Sequence, residues 1–250
     1  MSVLIGLVAL QAGYLLSTRG RAVPVARQAA FLGGVLTMAL ALLSPLDDLS
    51  DHYLFTAHML QHLLLTLVAA PLFLLGLPGW LFRDLLKRTR LTPVARRLRH
   101  PLFAFGLFNL VFTVAHVPAL YELALANEPI HAAEHLVFVG TAVLMWAPIL
   151  SPAPDVVPRY PPLGQVLYLF LQSIPSGLVG ALLSASGTAV YTTYVLAPRI
   201  SPLSAYEDQQ LGGLIMWVGT GFYFLIASGV VFFSWASREE TANRRPIGAV

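Results

Sequence analysis

The 250-residue chain has no cysteine. That excludes disulfides, thiolate zinc sites and copper transfer through thiols. It also suits a working face in an oxidising compartment. Charge is the second shortage. Charged residues make up 11% of the chain, against about 25% in an ordinary soluble domain. Strict apolar–polar alternation is also missing, which excludes membrane β-strands, since those alternate over about ten residues. What remains is long apolar runs: Phe103 to Ala115, Leu136 to Leu150 and Leu211 to Trp235 are almost free of charge. A helix needs roughly 20 mostly apolar residues to cross a bilayer. The fold class is therefore all-α, a polytopic membrane protein.

The pattern predicts a bundle of about seven transmembrane helices: Val3–Ser17, Gln28–Leu43, Tyr53–Leu77, Leu102–His116, Ile130–Leu150, Leu163–Ser184 and Leu211–Ala236. The whole chain, 1–250, reads as one transmembrane helical domain. The first run has no preceding positive charge and no small-residue cleavage site, so it reads as a retained span. Alternate connections carry the basic residues. Arg19, Arg21 and Arg27 lie in the first, and Arg83, Lys87, Arg88, Arg90, Arg96, Arg97 and Arg99 in the third. Arg159 lies in the fifth, and Arg238, Arg244 and Arg245 in the tail. Only Arg199 falls on the other side. Cytoplasmic loops hold the Lys/Arg excess, so the N-terminus is expected outside and the C-terminus in the cytoplasm. Residues 79–100 form the basic cytoplasmic loop, and 187–210 form a long outer loop. The net charge of +3 is spread by topology, so no nucleic-acid partner is expected; the bilayer is.

Smaller features fit the same map. SPAPDVVPRYPP, 151–162, predicts a stiff non-helical inner connection. Pro175 predicts a kink in the sixth span. Tyr191 and Tyr194 read as interfacial anchors on the outer side, with Trp80 and Trp235 on the inner.

The histidines then stand out. His52, His58, His62, His116, His131 and His135 all fall in the outer half, from three helices; only His100 is inner. At about 1.5 Å per residue, His58 is about 8 Å and His62 about 14 Å below the start of its span. His58 and His62 (HMLQH) and His131 and His135 (HAAEH) are i,i+4 pairs, so each pair shares a helix face. Ionisable groups inside a span mark functional sites, and facing helices of a bundle build metal centres. Imidazole suits copper, zinc, iron or nickel, and a thioether from Met59 or Met216 would favour Cu(I). His116 is a further candidate ligand. Glu134 and Asp208 are candidate acceptors behind the ligands. His52 and His100 read as ordinary packed or solvated residues.

Two alternatives stay open from the residues alone. HAAEH also fits H-x-x-E-H, in which two histidines hold zinc and the glutamate activates water. That makes a membrane zinc metallohydrolase, with Glu122, Glu128 or Asp208 as third ligand. A bis-histidine haem site ranks behind copper and zinc. The surplus of histidines suits holding or transferring a metal better than hydrolysis, so no catalytic residue and no small-molecule substrate are expected.

HMLQHLLLTLVAAPLFLLGLP, the HAAEH span ending MWAPIL, PSGLVGALLSASGTAVYTTY and DQQLGGLIMWVGTG together resemble the CtaG-like, multi-span cytochrome c oxidase assembly factor family. The likeness runs from about Leu43 to Phe233. It implies a seven-span fold in a bacterial cytoplasmic membrane, a cytochrome c oxidase subunit as partner, and copper as cargo. His58, Met59 and His62 match the first signature; Asp208, Gln209, Gln210, Met216 and Trp217 match the last. A metal-free assembly scaffold is the third reading. Lipid-facing and partner-facing apolar surfaces look alike in a sequence, so it specifies no oligomeric state.

Overall fold

A computed structural model describes residues 1–97 and 100–243. Arg99, Arg244 and Arg245 of the basic segments lie outside the described residues. Among the described residues every regular element is helical. Helix α1 is Ser2–Thr18 and α2 is Val25–Leu43; a short α3, Pro45–His52, leads into α4, Phe55–Leu63. A π-helical turn, Leu64–Ala69, joins α4 to α5, Ala70–Gly76. Two short helices come next, α6 (Gly79–Arg88) and α7 (Thr92–Arg97), then α8 (Pro101–Ala115) and α9 (Pro118–Leu125). The long α10 (Glu128–Leu150) and α11 (Pro162–Ala185) precede α12 (Thr192–Leu196) and α13 (Ala205–Leu214). A second π turn, Ile215–Gly219, joins α13 to α14, Thr220–Asn243.

Five of these stretches are long and apolar enough to cross a bilayer: Val25–Leu43, Phe55–Gly76, Glu128–Leu150, Pro162–Ala185 and Ala205–Thr241. The helices α8 and α9 meet at 75° and make a sixth if they form one broken span. The 17-residue α1 is apolar but shorter. The chain is thus a helical membrane protein with five or six such segments, and its outer surface is a belt of exposed Leu, Val, Ile and Phe side chains.

Backbone polarity must be satisfied internally in such a protein, and the π turns show how. A π turn breaks the regular i→i−4 ladder and frees carbonyls. Trp146 of α10 donates its indole N–H to the Thr66 carbonyl at 3.0 Å. The Tyr223 hydroxyl of α14 donates to the Leu67 carbonyl. Both acceptors lie in the first π turn, so α10 and α14 grip the broken helix where its own bonds fail.

The expected loops are more structured than their composition suggested. The 79–100 segment holds α6 and α7, and Arg83 makes a bidentate pair with Asp155 at 2.8 and 3.0 Å. The 151–162 connection is non-helical up to its last residue, as its prolines predict, and Arg159 folds back on the Ser151 carbonyl. Arg27 donates to the Leu77 carbonyl at 2.8 Å. These basic connections meet at one end of the bundle. Pro175 does not break α11, which is continuous from Pro162 to Ala185.

Helices α11 and α13 approach until their backbones nearly touch. A Cβ added at Gly180 would lie 2.6 Å from the Gly213 carbonyl oxygen and 2.8 Å from the Trp217 nitrogen. No side chain can rotate out of a clash with backbone. Gly180→Leu should therefore force the helices apart and destabilise the fold by at least about 1–3 kcal/mol. Thermal unfolding in detergent measures this; a melting curve unchanged from the parent protein would contradict the close packing.

Candidate metal centre

The site is assembled at the end of the bundle opposite the basic connections. Its first element is α4. Leu54 is extended and offers no side-chain cap to that helix. The cap comes instead from 153 residues away. The Asp208 carboxylate accepts from the Phe55 N–H at 2.7 Å and the Thr56 N–H at 3.2 Å, while the Thr56 hydroxyl donates to the Asp208 carbonyl at 2.9 Å. A carboxylate there also meets the positive end of the helix dipole. It fixes the depth and rotation of α4, and so of His58 and His62.

The second element is α10. Asn127 caps it through the Ile130 N–H, Pro129 sits in its first turn, and His131 and His135 project from the next turns. The third is α8, whose last turn ends at His116. The five imidazoles converge. Ring centroids are 4.3 Å apart for His58 and His62, 5.3 Å for His58 and His131, and 4.3 Å for His131 and His135. His135 lies 5.4 Å and His116 6.5 Å from His62. One ring nitrogen from each of His58, His62 and His131 falls within 4.8 Å of the others.

All five rings are buried. Seven of their nitrogens have no partner: both of His58, both of His62, and Nε2 of His116, His131 and His135. A buried unpaired polar group costs about 1–3 kcal/mol, and native structures rarely leave several together. His116 shows the ordinary alternative, with Nδ1 on the Phe112 carbonyl at 2.7 Å. His58 and His62 make no such bond. Three of the imidazoles, those of His58, His62 and His131, bring nitrogens close enough together to fit a bound cation.

A hydrogen-bonded shell surrounds them. His131 turns Nδ1 to Asp51 Oδ2 at 3.5 Å. Asp51 accepts from the Ser50 hydroxyl at 3.0 Å. Gln61, inside HMLQH, ties α4 to its neighbours by donating to Asp47 and the Ala41 carbonyl, and lies 3.0 Å from Ser50. Burial works to raise the Asp51 carboxyl, but hydrogen bonding and attraction from His131 outweigh it and hold the group below the usual carboxylate range.

Tyr191 and Tyr194 are not interfacial anchors; this corrects the sequence expectation. Both are fully buried. Tyr191 stacks on Phe55 and donates to the His116 carbonyl at 3.0 Å. Tyr194 donates to the Ser50 carbonyl at 2.7 Å and meets the Tyr121 hydroxyl at 2.9 Å. Two phenols of the 187–210 segment, with Tyr121 of α9, thus close a roof over the site, because phenols with hydrogen-bond partners can be buried.

The other expected residues stand around this cluster or apart from it. Met59 and Met216 are buried, Met59 against Gly212 and Met216 against Gly180, in the seam of α4, α13 and α11. Asp208 faces the α4 backbone, and Glu122 accepts from the Thr193 N–H at 3.1 Å, so both are engaged away from the imidazoles. Glu134 is half-buried on α10 and outside the three-donor set. His52 is exposed beside Asp48. Asp51 and Tyr121, the latter 5.1 Å ring to ring from His58, were not expected. No spacing rule connects them to the histidines.

A family model described as cytochrome c oxidase caa3 assembly factor matches residues 8–238. The chain belongs to that family. No curated protein and no solved structure matches it. The match spans the buried histidines, the Asp208 cap and both π turns. In this member of the oxidase assembly family, the most polar interior of the bundle is therefore part of the family's own extent, not an appendage.

The Asp208 cap is testable. Asp208→Ala leaves one buried and one part-buried N–H group of α4 without acceptors and should cost about 1–3 kcal/mol. Asp208→Asn keeps one acceptor and should cost less. Thermal unfolding in detergent orders the three proteins; equal stability of Asp208→Ala and parent would refute the cap.

Proposed function

We propose that this assembly factor crosses a bacterial cytoplasmic membrane seven times, N-terminus outside and C-terminus in the cytoplasm. It binds copper among the outer-leaflet histidines and hands it to a cytochrome c oxidase subunit during assembly. The observation that supports the metal is the set of unpartnered, buried imidazole nitrogens. The family supports the destination. His58, His62 and His131 would hold the ion, with His135 and His116 close enough to exchange into the set. Imidazole without thiolate suits a metal that is held and then released. The thioethers of Met59 and Met216, buried on neighbouring helices, would be the further donors. The basic connections, gathered at the opposite end, support the orientation.

The hydrolase reading has less support. It needs a third ligand beside His131 and His135, with Glu134 left to activate water; two of the candidates, Glu122 and Asp208, are engaged with Thr193 and the start of α4, and among the described residues the converging donors are His58, His62 and His131. The role is accordingly one of binding and delivery, without turnover of a substrate.

Copper counted per chain after desalting tests the reading. Bound copper should disappear in the His58→Ala, His62→Ala double variant and in the His131→Ala, His135→Ala double variant. Zinc retained alone, and lost only in the second variant, would restore the hydrolase. Oxidase copper content should fall in cells without the protein; normal content there would overturn the delivery role.

A further inference from the structure

Helices α11 and α14 run antiparallel, and on one side they do not close against each other. Where the chains touch, Gly177 and Gly180 of α11 meet Trp217 in the second π turn. Beyond that contact, toward the basic end, a groove of about 540 Å³ opens between the two helices. Its floor holds Phe224 and Ser228, both buried. Its rims are Leu163, Leu167, Phe170 and Leu225, each more than half exposed. Gly221 borders open space, since a Cβ added there would meet nothing within 4 Å. Ser173, at the far end, turns its hydroxyl to the Phe170 carbonyl at 2.7 Å. From Leu163 to Ser173 the groove is about 15 Å long at about 1.5 Å per residue. That is about half of the roughly 30 Å hydrocarbon core of a bilayer.

The near end of the groove reaches a group of arginines. Leu163 follows closely on Arg159, which donates to the Ser151 carbonyl at 2.7 Å. Arg27 donates to the Leu77 carbonyl at 2.8 Å, and Arg238 to the Ser234 carbonyl at 2.9 Å. The anchors of Arg27 and Arg159 are neighbours, because Gly79 packs on the main chain beside Ser151: a Cβ at Gly79 would lie 2.5 Å from the Pro152 carbonyl oxygen. Burial, and then the charges of Arg27 and Arg238, hold the Arg159 guanidinium below its ordinary range. The acids of this end are engaged. Asp155 pairs with Arg83 at 2.8 Å, and Asp84 also acts on Arg83. Glu239 accepts from the Trp235 indole at 3.3 Å, and Glu240 has a contact of its own. Arg159 and Arg238 are exposed, so an anion can reach them and relieve their repulsion.

We infer that α11 and α14 bind an anionic glycerophospholipid, its phosphate between Arg159 and Arg238 with Arg27 behind, and one acyl chain in the groove. Guanidinium forks match phosphate oxygens, and basic pockets between membrane helices take such headgroups. Free phosphate shares the headgroup chemistry but leaves the apolar groove empty, whereas a lipid fills both with one molecule. In a bilayer some acyl chain occupies the groove in any case; the arginines select which lipid carries it. The site lies at the end away from the histidines and does not depend on what they hold.

The experiment uses the full chain, stripped of lipid in detergent. Phosphatidylglycerol, phosphatidylcholine with the same chains, and glycerophosphate are offered separately, and bound molecules are counted by native mass spectrometry. One phosphatidylglycerol per chain is expected, held at least about 10-fold more tightly than phosphatidylcholine. Arg238→Gln should lower that preference several-fold, and Arg159→Gln with Arg238→Gln should remove it. Arg88→Gln, an exposed residue of α6, should leave it unchanged. Gly221→Leu occupies the groove without a clash, so it should reduce retention of both lipids while the melting temperature in detergent stays that of the parent. Arg159 also holds the Ser151 carbonyl, so Arg238→Gln and Gly221→Leu carry the test if the double variant fails to fold. Equal retention of the two lipids would overturn the role of the arginines. Glycerophosphate held as tightly as phosphatidylglycerol would overturn the role of the groove. Unchanged phosphatidylglycerol binding in both Arg238→Gln and Gly221→Leu would overturn the site. A photo-reactive residue placed at Leu167 that captures a protein helix in membranes, and not lipid, would make the groove a partner face and overturn the proposal.

Discussion

Five imidazoles held in an apolar interior, most of their nitrogens without partners, are the constraint around which this molecule is arranged. Such a cluster is unfavourable by itself, because each unpaired nitrogen has given up water and gained nothing. It persists only where the surrounding packing over-determines it. Here that packing consists of polar contacts that are themselves complete. Asp208 closes the start of α4, Gln61 and Ser50 join α4 to α2 and α3, and three tyrosines close the roof, two of them through main-chain carbonyls. Satisfied polar groups enclose unsatisfied ones. That contrast, more than the presence of histidine, separates a binding site from a packed core.

The π turns extend the same logic down the bundle. The first begins two residues after His62. It redirects the helix below the site and presents carbonyls that Trp146 and Tyr223 take up. The second, Ile215–Gly219, sits where α13 passes within backbone contact of α11. Both irregularities continue the helices that Asp208 couples. Rotation of α4 is therefore set at its top by a carboxylate and lower down by an indole and a phenol. A ligand set that must hold nitrogens of three rings within 4.8 Å needs that degree of control.

Much of this was legible in the residues. Apolar run length gave the helical membrane class, and the i,i+4 spacing of His58 with His62 and of His131 with His135 gave two shared faces. The alternation of basic loops put the histidines at one end and most arginines at the other; among the described residues Arg27, Arg83 and Arg159 meet at the end of the bundle away from the histidines, and Arg199 lies on the histidine side. Two readings changed. Tyr191 and Tyr194 looked like interfacial anchors because tyrosine is common at that depth, yet each found a buried hydroxyl partner. Asp208 looked like a partner of the histidines and is instead the cap of the helix that carries them.

The division has a physical origin. Hydrophobicity and helical periodicity are local quantities, summed over a window of one chain segment, so the sequence by itself determined the membrane class, the faces that carry the histidines and their shared depth. Which of five rings come within reach of one ion, which carboxylate stands behind them and which phenols close the roof depend on contacts between residues up to 153 positions apart. Those contacts are decided by how whole helices pack and rotate against one another. Only the tertiary structure could place Asp51 at His131 and Asp208 at Phe55, because no spacing along the chain encodes an angle between two helices.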